Sequence, residues 1–116
     1  MAQQHSINTS DWHAHLYFDA HEAPHAQALC EDAGRIFAIP VARVHSAPIG
    51  PHPRGSCQLT VPNDRLGDII GWLLLHRGPF TVLVHVNSGD DLNDHTKHAF
   101  WLGQAETLKL DIFRRQ

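Results

Sequence analysis

The residues best placed to do chemistry are His13 and His15, within Trp12-His13-Ala14-His15-Leu16-Tyr17-Phe18. On a β-strand, side chains alternate between two faces. Trp12, Ala14, Leu16 and Phe18 then form an apolar face, and His13, His15 and Tyr17 a polar one. The two imidazoles lie roughly 6.6 Å apart along the strand, so both rings can lean toward one ion above the sheet. Eleven histidines in 116 residues is about four times ordinary usage. Histidine is the commonest metal ligand and the side chain that titrates near neutrality.

Further candidates follow along the chain. His52 stands on a stiff loop, Gly50-Pro51-His52-Pro53-Arg54-Gly55, whose prolines fix the backbone around it. His85 lies in the strand-like run Phe80 to Val86, opposite in facing to Val82, Val84 and Val86. Three or four neutral imidazoles on one polar sheet face suit Fe(II), Zn(II) or Cu(II). A catalytic site would leave coordination positions for water, substrate or dioxygen. His95 and His98 are three residues apart and share a face if that stretch is helical. His95, beside Asp94, is an acid/base candidate, and His98 a substrate-binding one. Tyr17 could orient a phenolic substrate. Arg54 could grip a substrate carboxylate with its two-pronged guanidinium.

Other chemistries lack their signatures. There is no nucleophile elbow, no phosphate-binding glycine loop and no Cys-x-x-Cys. Cys30 and Cys57 read as small buried hydrophobes in a reducing compartment. A net charge of −3 with no basic patch argues against nucleic acid as a partner. No apolar run approaches a membrane span, and a cytoplasmic location is expected.

The elements that must position these residues come from periodicity. Residues 1–10 read as a flexible polar leader, and 11–116 as a single domain. A strand over 12–18 precedes a helix that opens near Glu22 and stops at Pro40. Ala26, Leu29, Cys30, Ala33, Ile36 and Phe37 recur at helical spacing in it. A second strand is expected over 41–46 and a third over 55–61, as a hairpin joined by the Pro/Gly loop. Asn63 would cap a second helix with a buried stripe of Leu66, Ile69, Ile70, Leu73 and Leu74, ending at Gly78-Pro79. A fourth strand covers 80–86. The order is βαββαβ, a ferredoxin-like α+β fold: a four-stranded antiparallel sheet with two helices on one face. In that topology the first and last strands are neighbours, and His13, His15 and His85 can converge on the open face. A C-terminal extension starts as a turn at Asn87-Ser88-Gly89, with a short helix from Asp91 and a closing strand near 107–110.

Taken together, His13-Ala14-His15-Leu16-Tyr17-Phe18, Gly50-Pro51-His52-Pro53, Val84-His85-Val86-Asn87-Ser88-Gly89-Asp90-Asp91-Leu92 and Asp94-His95-Thr96 with Trp101-Leu102-Gly103 resemble the DOPA 4,5-dioxygenase family. The resemblance spans about residues 11–113. It implies a ferredoxin-like domain, commonly a homodimer, with non-haem Fe(II) for which Zn(II) could substitute. The implied activity is extradiol ring opening of a catechol such as L-DOPA by O2. It further implies His15, His52 and His85 as metal ligands, with His13 a fourth ligand or a neighbouring base, and His95 the acid/base group. Position 86 is valine where proline is common in the family, a change that keeps a strand conformation. A non-catalytic metal or small-molecule binding protein of the same fold is the alternative. A dimerisation module with pH-sensitive interface histidines is a further one.

Overall fold

The computed structural model describes residues 11–114. The expected leader, 1–10, lies outside the described residues. Strand β1 (Asp11–Phe18) leads through a 3₁₀ turn at Ala20–Glu22 into helix α1 (Ala23–Phe37). Strand β2 (Gly55–Pro62), a second 3₁₀ turn at Asn63–Arg65 and helix α2 (Leu66–His76) follow. Strand β3 (Thr81–Val86), a short helix α3 (Asp91–Asp94), strand β4 (Ala99–Leu102) and a turn of helix α4 (Asp111–Arg114) are the remaining elements among the described residues.

The sheet is antiparallel throughout in the order β2-β1-β3-β4. One face carries Ala14, Leu16, Phe18, Cys57, Leu59, Val61, Val82 and Val84 against Ala26, Leu29, Cys30 and Ala33 of α1 and Ile69 and Leu73 of α2. Each large apolar side chain removed from water here contributes about 1.5–3 kcal/mol. The helices sit where periodicity placed them, with changes at their edges. Asp19 and Glu22 close a reciprocal capping box ahead of α1. Ala38, left-handed at φ 53°, ends that helix before Pro40 is reached. Ile36 and Leu74, assigned to the buried stripes, are exposed instead, because the sheet covers too narrow an arc of each helix. Asn63 does not cap α2. Its Oδ1 accepts the indole N–H of Trp12 at 2.7 Å, and the chain makes a 3₁₀ turn before the helix starts at Leu66.

Two expected strands are replaced. Residues 41–46 form only isolated bridges, Val41 with Leu59 and His45 with Ser56. Four residue steps on that side face three on β2, so one extra residue bows the segment out of a regular ladder. No strand forms over 107–110. The closing strand is β4, where the β-favouring Phe100 and Trp101 pair with β3 until Gly103 turns at φ 87°. Beyond it the chain crosses the second sheet face, and the Lys109 amide donates to the Pro51 carbonyl at 2.8 Å.

That crossing changes the expected open face. Tyr17 and Leu83 are 0 % exposed, His85 2 % and His15 4 %. The 47–54 loop and the C-terminal segment bury what the topology alone would leave to solvent. No helix among the described residues is long and apolar enough to cross a membrane.

Candidate metal centre

Register brings the histidines together. His13 on β1 lies directly opposite His85 on β3, and His15 opposite Leu83. His15 is thus diagonal to His85 on the same face, within reach of long side chains. Ring nitrogens of His13, His15 and His85 all fall within 4.8 Å of one another. The ring centroids of His15 and His85 are 5.0 Å apart, and those of His13 and His85 5.3 Å.

The proton positions in this trio follow from its partners. His85 Nδ1 donates to the Val86 carbonyl at 2.9 Å, which leaves Nε2 with a lone pair. His15 Nε2 lies 3.0 Å from it and, in the metal-free chain, donates its hydrogen there. Moving that hydrogen to the other nitrogen of His15 would turn both Nε2 lone pairs toward one point. Adjacent donors on an ion with bonds of about 2.1 Å are about 3.0 Å apart at a right angle, so this spacing fits metal ligation. A ligating histidine commonly donates its other N–H to a carbonyl, as His85 does.

Electrostatics agree with the geometry. Burial, with neighbouring imidazoles adding to it, holds His15 well below its ordinary value. Burial brings His85 to about 4 against a weaker opposing effect of the Val86 carbonyl, and lowers His13 as well. Imidazoles already neutral at pH 7 give up no proton when they bind a metal.

His52 is beside the trio, with its ring centroid 4.2 Å from that of His15. Burial lowers it to about 4. Its Nδ1 is tied to the Tyr17 hydroxyl at 2.6 Å. If Nδ1–H donates to the tyrosine oxygen, Nε2 keeps a lone pair; if the phenol donates, Nε2 carries the hydrogen. Burial raises the Tyr17 hydroxyl, so it stays a neutral phenol. Trp101 packs on Tyr17 at 5.8 Å between centroids.

His95 stacks near the trio from the C-terminal side, 4.1 Å from His85 and 6.4 Å from His15. Its Nδ1 donates to the Asp91 carbonyl at 2.7 Å, leaving Nε2 as an acceptor, and Phe113 covers the ring at 4.6 Å. His98 stands apart, its side chain 49 % exposed and 3.5 Å from Asp94. Arg54 is engaged within the protein: Nε and Nη2 grip both oxygens of Glu106, and Nη1 reaches Asp19 at 3.0 Å. A substrate carboxylate would have to displace these partners.

In the sequence Asp94 stands out only as the neighbour of His95, and Glu106 and Arg43 give no signal. Asp94 is buried beside His85, and burial opposes its ionisation. Its hydrogen bonds from the Ser88 amide and hydroxyl prevail and hold it below the usual carboxylate range. Glu106 ties the C-terminal segment to Arg54 and to the hydroxyl of Thr81. A cleft of about 230 Å³ opens beside His15 and His52, lined also by Arg43, His45, Ile49 and Gln58. The irregular 41–46 segment supplies one wall, and nothing in its sequence announces that role.

The fold and this site define an α+β domain with a buried histidine cluster beneath a small cleft. Residues 12–112 match the model of the Dopa 4,5-dioxygenase family, and the chain belongs to that family. It is 35 % identical over 109 residues to a DOPA 4,5-dioxygenase of Amanita muscaria, with 86 % of this chain and 48 % of that one covered. It is 32 % identical over 110 residues to an uncharacterised 21.2 kDa protein of Botryotinia fuckeliana, covering 87 % of this chain and 60 % of the other. The chain thus spans about half to three-fifths of these relatives. The crystal structure of a candidate dioxygenase from Nostoc punctiforme superposes with a TM-score of 0.87 at 34 % identity, covering 92 % of this chain and 93 % of that one. These names support a dioxygenase-like function, and the three-histidine group is consistent with dependence on a metal.

Proposed function

We propose that this chain is a non-haem Fe(II) dioxygenase that opens the ring of a catechol in the extradiol sense. The observation that carries this reading is the convergence of His13, His15 and His85, two of them buried, beside a cleft of about 230 Å³. Those three residues would hold the ion, with His52 placed to join or flank them. Bound there, Fe(II) would act as a Lewis acid toward the catechol and mediate electron transfer from the ring to O2.

The chain's own residues do the remainder. His95, anchored through Nδ1, has Nε2 available to accept a proton from a catechol hydroxyl and to return it as the ring opens. Tyr17 fixes the His52 ring, and the 47–54 loop helps keep His15 and His52 largely out of water at the floor of the cleft. One ring C–C bond beside the diol breaks, and both atoms of O2 enter the semialdehyde acid product. No external reductant is needed.

The test is oxygen uptake after anaerobic Fe(II) loading, with L-DOPA and a panel of catechols, watched for a yellow product. Iron-dependent uptake with colour is expected. Stoichiometric iron with no uptake across the panel would overturn the enzyme reading in favour of a binding protein.

A further inference from the structure

The cleft has an asymmetry of charge. Its lining includes Arg43, permanently cationic, but no aspartate or glutamate. Its remaining polar side chains are His15, His45, His52, Ser56 and Gln58. No carboxylate pairs with Arg43 among the described residues, whereas Arg54 is held by Glu106 and Asp19. The extra residue between the Val41 and His45 bridges carries this stretch off the regular ladder and alongside the cleft.

We propose that Arg43 anchors the carboxylate of the substrate, and that the chain selects a catechol bearing a carboxylate but no ammonium group. This rests on the dioxygenase reading above for the catechol half of the ligand. The diol would sit toward the histidine trio and the acid tail toward Arg43. A guanidinium gives a carboxylate two parallel charge-assisted hydrogen bonds. An α-ammonium would find no carboxylate in this lining, only groups such as Gln58 and Ser56, with a cation beside it. A catechol acid is therefore favoured over the amino acid, and the amino acid over a catechol amine.

The test is calorimetric binding to the full chain loaded with redox-inert Zn(II). The probes are 3,4-dihydroxyphenylpropionate, L-DOPA, dopamine and 4-methylcatechol. In the unmodified protein the acid should bind about tenfold more tightly than 4-methylcatechol, with dopamine weakest. Arg43→Ala should remove that tenfold and leave 4-methylcatechol within about twofold. Arg43→Lys should restore part of it. Equal losses for the acid and 4-methylcatechol in Arg43→Ala would overturn the proposal, and so would L-DOPA binding as tightly as the acid. Phenylpropionate, which lacks the diol, separates the two readings. If it binds in an Arg43-dependent way while 4-methylcatechol does not bind at all, the acid subsite stands and the catechol reading falls. If 4-methylcatechol binds and the acid gains nothing over it, the reverse holds.

Discussion

Tyr17→Phe isolates one buried hydrogen bond next to the metal centre. The hydroxyl is 2.6 Å from His52 Nδ1, Tyr17 is 0 % exposed and His52 8 %. The substitution keeps the ring and its packing on Trp101 and leaves His52 Nδ1 buried without that partner. Leaving a buried polar group unsatisfied costs about 1–3 kcal/mol. For a domain of this size that corresponds to a fall in Tm of roughly 4 °C or more. Urea unfolding of the metal-free protein should show the loss as a lower midpoint with an unchanged slope. His52→Ala and the double variant complete a cycle, and the coupling energy should fall in the same range of about 1–3 kcal/mol. The pair also bears on the metal. If His52 acts on the ion through Nε2, loss of the hydroxyl that orients it should weaken metal affinity by about 10–100-fold. A Tyr17→Phe protein with unchanged midpoint and no coupling to position 52 would refute the reasoning. His52 would then be satisfied by some other group.

Zn(II) at about 100 times its Kd should stabilise the protein by about 2.7 kcal/mol, and His15→Ala or His85→Ala should abolish both this gain and stoichiometric metal in elemental analysis. A folded His85→Ala protein that retains one tight metal would remove His85 from the ligand set. Stability of the metal-free chain should fall with acid. The unfolded histidines protonate near 6.5 whereas His52 and His85 wait until about 4, so between those values the unfolded state binds more protons. Each of the two should cost up to about 3 kcal/mol as pH drops from 7 to 4, with little further change below, and a flat profile in denaturant titrations over that window would contradict it. Gly55→Ala places a methyl 2.7 Å from the fully buried Phe18 ring, so the ring or the strand must shift. A loss of about 1–3 kcal/mol is expected in thermal unfolding, and an unchanged Tm would show that the β1–β2 pairing is looser than described.

The amino-acid sequence by itself determined helices α1 to α3, three of the four strands and which strand residues face the helical layer. Those features depend on local periodicity: alternate apolar residues in 12–18, 55–61 and 80–86, and helical spacing in Ala26, Leu29, Cys30 and Ala33. Because alternation also fixes the opposite face, it put His13, His15 and His85 together once β1 and β3 were neighbours. What only the tertiary structure decided involves contacts between segments distant in the chain. The second sheet face is closed because Glu106 grips Arg54, Lys109 bonds to Pro51 and Phe113 covers His95. None of these pairs has a periodic signature. The engagement of Arg54 could not be read for the same reason, since a loop arginine looks alike whether it meets a substrate or Glu106. The bulged 41–46 segment reads locally as a strand, and only its mismatch of register with β2 makes it the wall of a cleft. Periodicity records which way a side chain points, and register and long-range pairing decide what it meets there.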